Sequence, residues 1–221
     1  MEHGVFSGLG DDDRRALLAT MVRRRYARHD TLFHEGDPGD SLHLVDRGRV
    51  AIRVTTRLGD VVTVAVLGPG ESFGEQALLG DDTRRTASVV ALEPVTTRCL
   101  FRHDFARLRA EHPSVDRLLV QFLSRDVHRL TNRLLEALYD DVDRRVARRL
   151  DELVGVYDGG DGGDGEPVEI PLRQEDLASM AGTTRPTTNR VLRALEDDGV
   201  VALARGRIRV MDRVALERAA R

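Results

Sequence analysis

Two runs of residues carry types and spacings that suit binding chemistry. In the first, Phe73-Gly74-Glu75-Gln76-Ala77-Leu78-Leu79 is followed by Arg84-Arg85-Thr86-Ala87, so Arg85 lies ten residues beyond Glu75. Arginine presents a planar fork of donors that matches an anion in a way a point charge does not. A short helix opening at Gly74 would turn backbone N–H groups toward the same anion. Glu75, when ionised, only accepts hydrogen bonds and so suits a hydroxyl. A plain Glu75–Arg85 ion pair lining the fold is the alternative reading of these residues. The second run is Thr184-Arg185-Pro186-Thr187-Thr188-Asn189-Arg190. From Arg185 to Arg209 six arginines (185, 190, 193, 205, 207, 209) face three acids (Glu196, Asp197, Asp198), a local charge of +3.

Elements must hold these residues in place. The first 30 residues read as short helices, with a Ser7-Gly8 turn after Phe6 and Leu9, Ala16, Leu17, Leu18 and Met21 in a roughly helical rhythm. From about Arg28 to Phe101 the period becomes two: Leu42/Leu44, Val50/Ile52/Val54 and Val62/Val64/Val66 alternate with polar partners between glycine turns. Many short strands at regular spacing predict a β-roll. After Pro113, Leu118, Leu119, Phe122, Val127, Leu130, Leu134 and Leu138 predict one helix of ~25 residues, longer than a small domain needs for its own core. Its stripe is a candidate dimer seam, with Leu119, Phe122, Leu130 and Leu134 as the contacts. Tyr139-Asp140 reads as a hinge, Asp141 as the cap of a helix through Leu153, and Gly155 to Pro167 as a flexible acidic loop. Gln174 to Ala181, a Gly182-Thr183 turn, and a second helix from the Thr184 cap through Leu195 follow. Pro186 falls in that helix's first turn, where its missing N–H costs nothing. A hairpin around Arg205-Gly206 completes a winged helix-turn-helix.

Composition removes several classes. All 34 basic residues are arginine, so no Walker A lysine and no Schiff-base lysine exist. Cys99 is alone, within an apolar stretch that predicts a buried thiol, which excludes a disulfide framework and a four-cysteine iron–sulfur site. The seven histidines show no His-x-His or His-x-x-x-His pair, so no metal site is expected. No catalytic base–nucleophile pair is visible, and the expectation is a non-enzyme. No apolar run approaches the ~20 residues of a membrane span, and the acidic start resembles no signal peptide, so a cytoplasmic protein without a membrane partner is expected.

The motifs and their order resemble the CRP/FNR family of bacterial transcription regulators over nearly the whole chain. The first run is similar to the phosphate-binding cassette of cyclic-nucleotide domains, Gly-Glu-x-Ala-Leu followed by Arg-Ser/Thr-Ala. The resemblance implies a ligand site of Phe73, Gly74, Glu75, Gln76, Ala77, Arg85 and Thr86. Arg85 and the Thr86 hydroxyl would hold a cyclic phosphate and Glu75 the ribose 2′-hydroxyl. By register with the family, Thr131 and Asn132 on the long helix would read an adenine, while Leu130 departs from members with threonine there. The second run is similar to the family's recognition helix, often Ser-Arg-Glu-Thr-Val-x-Arg. Arg185 and Arg190 match its two arginines, which suit guanine O6/N7. Thr184, Thr187 and Thr188 are expected on phosphate or thymine methyl groups, and Arg205 and Arg207 on the wing at phosphate. Pro186 replaces the glutamate, which alters the expected half-site at that base pair.

The expected fold class is α+β: an N-terminal cyclic-nucleotide-binding β-roll (1–112), a long dimerisation helix with hinge (113–139) and a C-terminal winged helix-turn-helix (140–221). The resemblance implies a homodimer that responds to cyclic AMP and binds palindromic promoter DNA, with double-stranded DNA and RNA polymerase as partners. The same fold answering to cyclic GMP, another ligand or none is the alternative. A cyclic-nucleotide module regulating an enzyme is the rival from another class.

Overall fold

In the computed structural model, which describes residues 9–80, 83–158 and 166–221, the period-two region is a succession of short strands. The chain divides into two compact units, Met1–Asp60 with Leu67–Leu130, and Val61–Val66 with Thr131–Arg221.

The first unit opens with α1 (Asp11–Thr20), β1 (Val22–Tyr26), β2 (Thr31–Phe33), β3 (Ser41–Arg47) and β4 (Val50–Thr55). Next come β5 (Val61–Leu67), most of which groups with the second unit, and β6 (Ser72–Phe73), a 3-10 turn at Glu75–Leu78, β7 (Ser88–Ala91) and β8 (Val95–Phe101). Then α2 (Arg102–Glu111) and α3 (Asp116–Tyr139) follow. One sheet has the order β1-β8-β3-β6, and β7 pairs antiparallel with both β2 and β4. Glycine is required at the β3–β4 turn: Gly48 has φ +79°, and a Cβ there would lie 2.4 Å from the Pro94 carbonyl. The expectation of helices through residue 30 is corrected at its end. Val22–Tyr26 is a strand paired antiparallel with β8, in register from Val22 opposite Cys99 to Tyr26 opposite Val95. The expected turn at Phe6, Ser7 and Gly8 lies outside the described residues.

A core of Leu9, Leu17, Met21, Leu42, Leu44, Leu78, Leu100, Phe105, Leu108, Val115, Leu118 and Phe122 joins α1 and the strands to the start of α3. This corrects two of the seam residues. Phe122 is only 6% exposed in that core and Leu119 packs against it, so the first turns of α3 spend their apolar face on their own unit. The rest of the stripe differs. Val120, Leu123, Val127, Leu130, Leu134 and Leu138 are all exposed, at spacings of three and four residues along one helix.

The second unit holds α4 (Val142–Tyr157), β9 (Val168–Ile170), α5 (Gln174–Met180), α6 (Arg185–Asp197), β10 (Val201–Ala204), β11 (Arg207–Val210) and α7 (Arg213–Ala220). Val146, Leu150 and Leu153 bury one face of α4, as their spacing requires. Helix α4 runs four residues beyond the expected Leu153, through Gly155 to Tyr157. Asp141 occupies its N-cap position without a side-chain cap bond. At the hinge, Asp140 instead accepts from Arg148 at 2.6 Å and Arg144 at 3.4 Å, while Arg145 donates to its carbonyl at 2.8 Å. The sheet order is β10-β11-β9, so the hairpin foreseen around Gly206 gains a third strand from beyond the acidic loop. Residues 159–165 of that loop lie outside the described residues. Neither β9 nor α7 is legible in the sequence, since β9 has only three residues and α7 only eight, with Leu216 and Ala220 as its buried positions.

Candidate functional site

Arg85 sits in the loop before β7 with only 6% of its surface exposed. Burial works against its charge, and the neighbouring Asp40 carboxylate opposes that effect. Its Nη1 donates to the Ser41 carbonyl at 2.7 Å, and its Nη2 to Ser41 Oγ at 2.9 Å and to Asp40 Oδ1 at 3.2 Å. The guanidinium lies over the Phe33 ring, 4.0 Å from its centroid. Its Nε is buried with no hydrogen-bond partner among the described residues. A buried, unmade charged donor is costly, and it marks a place where an acceptor belongs.

Gly74 abuts this guanidinium. It has φ +80°, and a Cβ there would stand 2.6 Å from Arg85 Nη1 and 2.9 Å from the Ser41 carbonyl. Only glycine lets the 3-10 turn at Glu75–Leu78 approach the arginine this closely. Within that run Phe73 and Ala77 are buried and serve packing, whereas Gln76 and, further on, Thr86 are exposed. Glu75 is half-buried and makes no ion pair with Arg85, which removes the plain ion-pair alternative. Burial raises its carboxyl above the ordinary carboxylate range, and a hydrogen-bonded Asp126 carboxyl on α3 adds to the shift. Asp126 in turn accepts from Arg129 at 2.8 Å. Sequence reasoning missed Asp40, Ser41, Phe33 and Asp126. Asp126 lies four residues before Leu130, one helical turn away, and that spacing was the available signal. Thr131 and Asn132 are exposed on α3 and belong to the second unit.

Behind Arg85 lies His43 of β3, stacked on Phe73 with centroids 5.1 Å apart and hydrogen-bonded to Thr97 Oγ1 at 3.2 Å. Burial, helped by the Arg85 charge, pushes its imidazole down to about 4. The unfolded chain therefore binds a proton near the ordinary value of about 6.5 that the folded chain refuses until about 4. His43 thus contributes stability that is complete above pH 6.5 and is lost as pH falls toward 4, amounting to about 3 kcal/mol. An NMR titration of the His43 ring should give a midpoint near 4. A midpoint at the ordinary histidine value would overturn this reading of its environment. Cys99 is buried beside it, as expected, with its thiol pushed up by desolvation and so held as the unreactive form.

In the second unit, the helix-turn-helix is α5 and α6. The Thr184 hydroxyl accepts from Thr187 N at 3.4 Å at the N-cap of α6, and Pro186 lies in the first turn. Arg185 and Arg190 are exposed, with Arg205 between β10 and β11 and Arg207 on β11. Thr188 corrects an expectation: it is 0% exposed, on the face of α6 shared with Val191, Leu192 and Leu195, and cannot reach DNA from there. Three of the four arginines rest on acids of the same unit. Arg185 pairs with Glu175 at 3.4 Å, Arg190 with Asp143, and Arg207 with Glu169 at 3.2 Å. Glu169 also holds Arg209 at 3.2 Å, and the hydrogen bonds from both arginines lower its carboxyl below the usual range. These are exposed pairs, worth little each, that an incoming phosphate or base can replace. Arg173, Arg185, Arg205 and Arg207 line a groove of about 280 Å³ between the start of α5 and the wing.

Among the described residues no three His, Cys, Asp or Glu side chains converge as a metal set, and no helix is long and apolar enough to cross a membrane. Comparison with known proteins matches residues 23–112 to the cyclic nucleotide-binding domain and residues 144–219 to the Crp-like helix-turn-helix domain. The chain is 36% identical to the cyclic AMP receptor protein of Thermus thermophilus, over 96% of this chain and 94% of that one. It is 29% identical to the CRP-like cAMP-activated global transcriptional regulator of Mycobacterium tuberculosis, over 99% of this chain and 96% of the relative. Among solved structures, the Thermus thermophilus catabolite activator protein aligns with TM-score 0.56 and 35% identity, covering 98% of this chain and 97% of that one.

Proposed function

Because the chain belongs to the CRP/FNR family of transcription regulators, with a cyclic-nucleotide-binding domain ahead of a Crp-like helix-turn-helix, we propose that it is a homodimeric, cyclic-AMP-responsive regulator of palindromic promoters. The family is non-enzymatic. The observation that carries the ligand reading is the buried Arg85 guanidinium, its Nε orphaned and its Nη1 abutting Gly74, a cradle that an anion of phosphate type completes. In this reading Arg85 and Thr86 hold the cyclic phosphate, with Gly74, Gln76 and the backbone around Phe73 and Ala77 shaping the cradle. Glu75 takes the ribose hydroxyl, and Thr131 and Asn132 take the base. The parts at work are a ligand-binding region (1–112), a dimerising helix with hinge (113–139) and a DNA-binding region (140–221). Ligand binding shifts the hinge population and sets the two recognition helices at successive major grooves, ~34 Å apart. RNA polymerase in the cytoplasm is the further partner. A DNA-binding assay on purified protein with and without cyclic AMP tests the reading. DNA retention that cyclic AMP does not alter would overturn the ligand. Calorimetry with cyclic GMP then separates the same fold with a different input. A protein that binds nucleotide but never DNA would revive the enzyme-regulatory module, against which the helix-turn-helix stands.

The basic residues of the second unit divide by position. Arg185 and Arg190 follow a helix cap, and a bidentate guanine contact is worth roughly 1–3 kcal/mol of discrimination. Arg190→Ala should relax preference at one base pair per half-site in selection from random DNA. Arg205→Ala or Arg207→Ala should weaken all sequences alike and lower the salt slope by about one per lost contact. Selection of an unchanged site by the Arg190→Ala protein would exclude base reading by that residue.

A further inference from the structure

The buried Arg85 guanidinium does not meet the ligand alone. Asp40, in the turn before β3, has its carboxylate 3.2 Å from Arg85 Nη2 and accepts from Ser41 Oγ at 2.7 Å. While the arginine side chain is 5% exposed, that of Asp40 is 67% exposed, so Asp40 stands on the solvent side of the cation. A phosphate held by the Arg85 fork therefore lies close to this carboxylate. The neighbouring Asp37 is occupied otherwise, its Oδ2 accepting from the His34 N–H at 2.8 Å. Glu75 makes no ion pair with the arginine and has the Asp126 carboxyl as its hydrogen-bonded neighbour. Asp40 is therefore the acid paired directly with the buried cation, with Asp37 and Glu75 acting on it from further away.

Resting on the cassette reading above, we infer that Asp40 is a selectivity residue that lowers the affinity of Arg85 for doubly charged phosphomonoesters more than for singly charged phosphodiesters. The physical ground is Coulombic. A fixed carboxylate repels an anion in proportion to the anion's charge. A cyclic phosphodiester carries one negative charge, whereas a terminal phosphate, with its second pKa near 6, carries about two at pH 8. Removing the carboxylate should tighten a monoanion by some factor and a dianion by roughly the square of that factor. Arg85 alone would favour the dianion. A residue that levels the charge lets ring shape decide.

Calorimetry on the full-length protein at pH 8 tests this with three probes. These are 3′,5′-cyclic AMP, adenosine 5′-monophosphate, and the 5′-monophosphate methyl ester, which is noncyclic but singly charged. Asp40→Asn should tighten cyclic AMP and the methyl ester about threefold each and the 5′-monophosphate about tenfold. Asp40→Glu keeps the charge and should keep the wild-type ranking. Equal changes for all three probes would mean that Asp40 only positions Arg85, and the inference falls. A change that separates cyclic AMP from both noncyclic probes would assign selection to ring shape, and again the inference falls. If the wild-type protein binds none of the three, the cassette reading itself fails. Binding with all three affinities unaltered in Asp40→Asn removes the role of Asp40 alone.

Discussion

Arg85→Leu should weaken cyclic AMP binding at least tenfold. Hydrogen bonds to charged groups contribute on the order of 1.5–3 kcal/mol each, so loss of two of them predicts roughly a hundredfold or more. The side chain is 6% exposed, and its Nε has no hydrogen-bond partner among the described residues. The Nη groups also serve Ser41 and Asp40, so the same side chain holds the cradle together. Leucine leaves the Ser41 carbonyl without its donor, so thermal unfolding must be followed alongside the calorimetry. Arg85→Lys is the informative companion. It retains a charge but cannot supply the fork, and its affinity should fall between wild type and Arg85→Leu. An Arg85→Leu protein that folds and binds cyclic AMP as wild type does would sink the assignment of the cassette.

The parts legible in advance are those where one residue type at one spacing has one physical use. Glycine turns between alternating valines wrote the strands, and Thr184 with Pro186 in the first turn wrote the start of α6. Glu75 and Arg85 were likewise legible as a pair of roles, because a fork of donors and an acceptor-only group differ in what they can hold. Their surroundings were not. Asp40 is one acid among several in a turn, and only the fold shows it 3.2 Å from a guanidinium that lies 45 residues ahead. Phe122 and Leu130 look alike on a helical wheel of apolar residues. Whether each faces its own core or a partner depends on how far the strands extend along α3, which periodicity does not encode. Thr188 departs from its expected place for a similar reason. A threonine beside the recognition arginines suits phosphate by type, but its position on the helix places it with Val191, Leu192 and Leu195 in the core.

The exposed part of α3 carries the last prediction. Val120, Leu123, Val127, Leu130, Leu134 and Leu138 recur at spacings of three and four, the pattern of a two-stranded helical seam, and all six are exposed in the single chain. Leu134 is 59% exposed. Burying such a leucine against a second copy contributes on the order of 1.5–3 kcal/mol, and two copies bury it twice. Leu134→Arg replaces that gain with two like charges facing each other without a counter-ion, a cost that the remaining leucines would have to overcome. In analytical ultracentrifugation the variant should sediment as monomer at concentrations where wild type is dimeric. His128→Arg, exposed on α3 but off the stripe, should remain dimeric and serves as the control. The consequence for DNA follows from linkage of two half-sites. A dimer that has engaged one half-site holds its second reader at high effective concentration, which raises overall affinity by roughly 10²–10⁴ over a single engagement. Leu134→Arg should therefore lose at least about a hundredfold in affinity for a palindrome while its binding to an isolated half-site changes little. A variant that stays dimeric and keeps its palindrome affinity would place the dimer contact somewhere other than this stripe.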